Sequence, residues 1–210
     1  MDYNLLKLRI LFIFFFIIIF LFFLTIGNNY LWLLFLILYL IFIYEVNVNF
    51  RIFKYKLLLY IYIFISFIFL QLYLFYYFKF IDFVIIILTI TIFDTSSYFL
   101  GSIFGKKKIF TTISPNKTYE GLIGGIIFTS ILMILLNYYF ADYKTFNFLL
   151  IIIPIIFLSF LGDIIESYFK RLSNIKNSGK LIPGHGGFLD RFDSFILVTY
   201  GIFFFKFLIN

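Results

Sequence analysis

Residues 11–24 read LFIFFFIIIFLFFL. Such a run has no charge to mark a turn and no alternation to mark a strand with one wet face. With its neighbours it approaches the ~20 apolar residues a helix needs to cross a bilayer. Backbone N–H and C=O groups in lipid must find partners inside their own helix or in a closed barrel. Barrel strands alternate polar and apolar residues, and these runs do not. The first run is too long and too aromatic for the apolar region of a signal peptide. No small-residue cleavage site follows it, so it is expected to remain as an anchor.

The pattern recurs. Seven spans are predicted, at about 10–26, 30–45, 57–78, 83–104, 121–140, 146–169 and 189–209. The expected fold is all-α: a polytopic membrane helix bundle of about seven transmembrane helices, with no loop long enough to be a soluble domain. The second span is short and the third and sixth are long, which leaves room for tilt or a re-entrant stretch. Charged residues make up only 13% of the chain, against about 25% in a soluble domain.

Net charge is +7, which taken alone suggests nucleic acid. Its distribution says otherwise. With the N-terminus cytoplasmic, Lys7, Arg9, Arg51, Lys54, Lys56, Lys106, Lys107, Lys108, Lys117, Lys170, Arg171, Lys176, Lys180 and Arg191 all fall inside. Only Lys79, Lys144 and Lys206 fall outside. That asymmetry is the positive-inside rule, so most of the charge sets orientation. Without cysteine there is no disulfide, thiolate or Cys-based metal chemistry. The 36 Phe and 17 Tyr beside one Ala point to mutational bias toward AT-rich codons, as in a reduced bacterial genome. Polar residues and glycines that persist against it carry more information.

Five carboxylates need their own explanation. Asp94 lies inside the fourth span, Asp163 and Glu166 inside the sixth, and Asp190 and Asp193 at the start of the seventh. An acid near the middle of a lipid-facing helix costs ~2.5–3.5 kcal/mol on insertion scales, so such groups face a bundle interior or a wet cavity. Ser159, Asp163, Glu166 and Lys170 recur at i, i+4, i+7 and i+11, one stripe of a helix. Asp190 and Asp193 share a face at i, i+3. Paired oxygen donors with no Cys and one His suit Mg²⁺, which binds one or two carboxylates together with phosphate oxygens and water. The implied ligand is a phosphate compound.

The loop KRLSNIKNSGKLIPGHGG (170–187) supplies Lys170, Arg171, Lys176 and Lys180, with glycines that let backbone amides turn toward an anion. A second loop, GKKKIFTTISPNKTYEGLIGG (105–125), offers Ser114, Asn116, Lys117 and Thr118. Its Gly121, Gly124 and Gly125 are read first as a close helix–helix contact. His185 is read as a loop donor to phosphate or a turn cap, ahead of general base or metal ligand, because one His without a partner makes no zinc site.

The run from Ser167, Lys170 and Arg171 through Lys176, Gly179, Pro183, Gly184, His185, Gly186 and Gly187 to Asp190, Arg191 and Asp193 resembles the signature of the phosphatidate cytidylyltransferases, or CDP-diacylglycerol synthases. DTSSYFLGSIFGKKK (94–108), SPNKTYEG (114–121) and GDIIESYFKR (162–171) resemble further blocks of that family. The likeness covers roughly 90–210, taken as a catalytic membrane domain. Residues 1–89 match only in being hydrophobic and are assigned to packing or lipid access.

The resemblance implies transfer of a cytidylyl group from CTP to phosphatidate, giving CDP-diacylglycerol and pyrophosphate in phospholipid biosynthesis. It implies Mg²⁺ and a second, monovalent cation such as K⁺. Asp163 and Asp190 become the principal metal ligands, with Asp193, Glu166 and Asp94 orienting them or holding the second ion. Asp163, Asp190, Lys170 and Arg171 are the expected catalytic residues. Ser114, Asn116, Lys117, Lys176, Lys180, His185 and Arg191 are the expected substrate-binding residues. The expected setting is a bacterial inner membrane with the active site on the cytoplasmic side. CTP, phosphatidate and the bilayer are the expected partners, with no nucleic acid and a homodimer left open. The rivals are another CTP-dependent lipid kinase and, further off, an ion-coupled transporter. Three departures stand out. Asn177 replaces the family's usual Asp, Ser96 and Ser97 replace smaller residues, and the sequence is expected to lack one or two of the family's N-terminal spans.

Overall fold

The structure, a computed structural model, describes residues 30–50, 54–140, 143–182 and 186–209, with scattered positions between 18 and 25 and no side chains beyond 203. The span expected at about 10–26 lies almost wholly outside the described residues, and His185 lies outside them too. The elements run α1 (Leu31–Asn49), α2 (Lys56–Tyr76), α3 (Phe80–Phe104), β1 (Lys108–Phe110), β2 (Ser114–Thr118), α4 (Tyr119–Phe140), α5 (Thr145–Leu172) and α6 (Leu189–Ile209). Helices α1 to α5 are each long and apolar enough to cross a membrane. Outward residues such as Phe64, Ile127 and Phe157 are more than half exposed. That much bare apolar surface is the mark of a chain made for lipid. The chain is a multi-pass membrane protein.

The helices differ from the predicted spans at their ends. Helix α1 runs on to Asn49 instead of stopping near 45, and α3 starts at Phe80, before Asp82. In both cases the sequence reading ended a span at an acid, and the backbone carries the acid into the helix, where Glu45 and Asp82 are buried. Helix α5 has 28 residues. At 1.5 Å per residue it is ~42 Å long, more than the ~30 Å of a hydrocarbon core. Its last turn, with Lys170 and Arg171, can therefore reach beyond lipid.

The purely helical expectation needs one correction. Strands β1 and β2 form an antiparallel hairpin in which Lys108 faces Thr118 and Phe110 faces Ser114. Thr111, Thr112 and Ile113 make the turn. The strands are short, KIF and SPNKT, and a hairpin is allowed where the backbone leaves lipid.

The described residues fall into two compact units: residues 1–76 with 169–193, and residues 77–168 with 194–210. In the first, α1 and α2 pair antiparallel. Asn47 accepts from Lys56 and Tyr60, Tyr39 bonds Ser66, and Gln71 donates to the Trp32 carbonyl. Helix α5 ends there with Asn174 in the left-handed region, φ 55°, and the Ile175 amide donates back to the Lys170 carbonyl. Asn tolerates that conformation better than most residues.

In the second unit α3 packs tightly on α4. A Cβ at Gly125 would stand 2.8 Å from Ser97 Cβ, and one at Gly124 2.8 Å from Leu100 Cδ1. Ser96 and Thr129 hydroxyls meet across the same seam at 3.3 Å. This is the close contact expected of those glycines. Met133, Phe148 and Ile152 form a buried cluster joined by Ile85 and Ile92. The α4–α5 connection is tied down by Asn137, which exchanges two hydrogen bonds with the Tyr143 backbone. The Tyr143 hydroxyl donates to Asp82 Oδ1. Burial, and then this bond, push the Tyr143 phenol up to about 12.

Candidate active site

In the second unit the site is built by the segment SPNKTYEG. Its first residues form β2, which carries Ser114, Asn116 and Lys117. Thr118 then caps α4, its hydroxyl accepting from the Gly121 amide at 3.1 Å. A helix start leaves such amides without partners, and Thr fills that need. Glu120 turns back and accepts from the Lys106 amide at 3.0 Å and the Lys107 amide at 3.2 Å. That bracing fixes where the GKKK stretch enters the hairpin. Gly121 lets α3 and α4 touch: a Cβ there would lie 2.6 Å from the Ser97 carbonyl oxygen and 2.9 Å from Gly101 Cα. One short motif thus positions a strand, starts a helix and closes a helix pair.

Lys117 is held in a specific place. Its Nζ lies 2.6 Å from Asp163 Oδ2, donates to the Phe160 carbonyl at 3.5 Å and stands 4.5 Å from the Phe160 ring centroid. Asp163 also accepts from the Ser167 hydroxyl at 3.3 Å. Asp94 accepts at Oδ1 from Ser159 and at Oδ2 from Ser194, both at 3.2 Å. A cavity of about 170 Å³ is lined by Asp94, Asp163, Lys117, Ser114 and Asn116, together with Ser97, Tyr98 and Thr118 and the apolar Phe93, Leu122 and Phe160. Five sequence-predicted site residues therefore line one cavity. Glu166 is buried one turn further along α5.

In the first unit, Lys170 Nζ lies 2.8 Å from Asp190 Oδ1, with both side chains nearly buried. Asp190 Oδ2 accepts from the Ser178 amide at 2.9 Å and the Gly187 amide at 2.8 Å. Its own amide donates to the Ser178 hydroxyl at 3.2 Å. Arg171 donates to the Ile175 carbonyl at 3.4 Å, beyond the end of α5. Lys176, Lys180 and Arg191 are exposed, and Asp193 is half-buried.

Among the described residues of the glycine-rich loop and the start of α6, amides do turn toward anions, and these anions are the chain's own. Ser178 and Gly187 amides point to Asp190, and Phe188 and Leu189 amides point to Glu45. Glu45 was missed because its span was ended there. An acid in LWLLFLILYLIFIYEVNVN is the same intramembrane signal that marked Asp94. Ser159 and Ser194, the partners of Asp94, gave no signal beyond Ser159's place on the helical stripe.

The described residues do not bring three His, Cys, Asp or Glu side chains together as a ready-made metal cage. The donors present are still of the right kind. Asp94 and Asp163 put hard oxygens in one cavity, with Ser and Asn oxygens alongside and no nitrogen or sulfur ligand in the lining. A site of one or two carboxylates, completed by water and phosphate, is how Mg²⁺ is usually held. The Lys117 ammonium beside Asp163 marks a point where that carboxylate already supports positive charge.

Fold and site together give a multi-pass membrane protein with a cavity whose lining carries two carboxylates and a lysine. The chain belongs to the cytidylyltransferase family, whose model matches residues 48–209. It is similar to the phosphatidate cytidylyltransferases of Staphylococcus saprophyticus, 50% identical over 107 residues, Staphylococcus haemolyticus, 48%, and Staphylococcus epidermidis, 49%. Each match takes in 50% of this chain and 41% of the relative's own length.

Proposed function

We propose that the chain transfers the cytidylyl group of CTP to phosphatidate, releasing pyrophosphate. What carries this reading is that a chain so similar to phosphatidate cytidylyltransferases folds its motif residues Asp94, Ser114, Asn116, Lys117 and Asp163 onto one cavity. A phosphatidate oxygen attacks the α-phosphorus of CTP, and the bond from that phosphorus to the bridging β-oxygen breaks. The nucleophile is already an anion near neutral pH, so no strong base is required. The barrier is the approach of one anion to another, which fixed positive charge lowers.

Lys117 supplies such charge from a set position, because the Phe160 carbonyl and Asp163 restrain its ammonium. Ser114 and Asn116 offer neutral donors in the same cavity. Lys176, Lys180 and Arg191 are exposed cations for the phosphate partners. Asp163 and Asp94 are the residues of the cavity that would hold Mg²⁺ or a monovalent companion, and Asp190 is assigned to metal from its place in the family motif. When bound, the metal supplies charge neutralisation for the triphosphate and its leaving group. The phosphatidate acyl chains stay in lipid while the headgroup reaches the polar residues. About seven spans with a cytoplasmic N-terminus, in a bacterial inner membrane, complete the reading.

The test is pyrophosphate release by the purified chain given CTP, phosphatidate and Mg²⁺. Release that needs all three and is lost in Asp163→Asn supports the proposal. Release without phosphatidate, or undiminished in Asp163→Asn, overturns it.

A further inference from the structure

Glu45 lies in the hydrophobic N-terminal part of the chain, ahead of the stretch that the family model matches, which begins at residue 48. It is completely buried. A carboxylate taken from water without partners is very costly, so its surroundings must repay it. They do so with three donors. Oε1 accepts from the Phe188 amide at 2.8 Å, and Oε2 accepts from the Leu189 amide at 2.9 Å and the Ser178 hydroxyl at 3.3 Å.

Those amides are the start of α6, where helices leave N–H groups unsatisfied and favour negative charge. Capping is normally done by a neighbouring residue. Here the cap comes from another helix, more than 140 residues earlier in the chain. The loop is shaped around it. A Cβ at Gly179 would stand 2.6 Å from Glu45 Oε1, and a Cβ at Gly187 2.5 Å from Oε2.

The residues touching Glu45 are also those that hold Asp190. Ser178 bonds Glu45 with its hydroxyl and Asp190 with its amide, and Gly187, packed against Glu45, gives its amide to Asp190. Two carboxylates thus share one cradle of loop backbone. One is assigned to metal in the proposed function, and the other is sealed inside.

We infer that Glu45 is a positioning residue: it fixes Ser178, Gly179 and residues 187–189 against α1 and thereby sets the Asp190 carboxylate for the transfer reaction. This rests on the proposed function for its catalytic consequence but not for its structural one. It also gives the motif-free N-terminal region a role in the site.

Glu45→Gln keeps size and shape while turning an NH₂ toward one of the two backbone amides, so one acceptor is lost. Hydrogen–deuterium exchange of the full chain in detergent should show the 176–192 peptides exchanging about tenfold faster or more, with those of 56–76 unchanged. Turnover in the same variant should fall about tenfold or more, with KM for CTP within about threefold, because the loss is of geometry at the reacting centre. Glu45→Asp, which keeps the charge on a shorter stem, should recover part of both. Unchanged loop exchange in Glu45→Gln, or a rise spread evenly along the chain, would overturn the inference. So would wild-type turnover in Glu45→Gln when the loop has loosened. If the unaltered chain transfers no cytidylyl group, the proposed function fails, and the exchange comparison still decides what Glu45 holds.

Discussion

Replacing Lys170 with Met tests how the Asp190 end of the site is held. The substitution keeps the stem and removes the ammonium 2.8 Å from Asp190 Oδ1, in a pair whose side chains are only 11% and 10% exposed. Breaking a buried pair by deleting one partner costs ~3–5 kcal/mol, because the remaining charge is stranded. Asp190 keeps two amide donors on Oδ2, from Ser178 and Gly187, so the loss belongs at the lower end, about 3 kcal/mol. For a chain of this size that lowers the melting temperature by roughly 6–12 °C. The single tryptophan of the sequence, Trp32, lies in α1 of the same unit, so its fluorescence on heating reports the relevant unfolding. The double variant Lys170→Met with Asp190→Asn removes both charges and should recover at least half of the loss, a coupling of about 1.5 kcal/mol or more. A shift under about 2 °C in the single variant, or losses that add, would mean that the pair is not buried as described.

Other expectations follow from single contacts. Gly121→Ala should destabilise by about 1–3 kcal/mol, because its Cβ meets backbone of α3 that cannot step aside; Gly124→Ala meets only the end of the Leu100 side chain and should cost clearly less on the same melting curve. Thr118→Ala removes the cap of α4 and should cost about 1 kcal/mol, read by thermal unfolding. Lys117→Ala should reduce cytidylyl transfer by about a hundredfold or more while the protein stays inserted, since the cavity loses its fixed cation. Chelation with EDTA should abolish transfer, and added Mg²⁺ should restore it; transfer that persists in EDTA would remove the metal from the scheme.

Much of this was legible because lipid is a severe solvent. Long charge-free runs could only be helices, and acids kept within them had to face the interior. Asp94 and Asp163 were found that way and do line one cavity. The Ser159, Asp163, Glu166, Lys170 stripe holds as one face of α5, with Ser159, Glu166 and Lys170 buried. What stayed hidden depends on pairing across the chain. Glu45 and Asp82 look like the edges of spans until the helices are seen to continue past them. Gly179 and Gly187 look like a cradle for a ligand until Glu45 is found against them. The β1–β2 hairpin was obscured because short polar strands carry no strong period. Ser194 follows a motif aspartate and shows its use only when its hydroxyl meets Asp94.

The central claim is that this chain moves the cytidylyl group and not the terminal phosphate. Its most direct test uses two samples of CTP, one labelled in the cytidine and one in the γ-phosphate. Each is incubated with detergent-purified protein, phosphatidate and Mg²⁺, and the lipid is extracted. Cytidine label in the lipid phase, with γ-label left in the water phase as pyrophosphate, is the expected result. Lipid carrying the γ-label without cytidine would contradict the account and make the chain a lipid kinase.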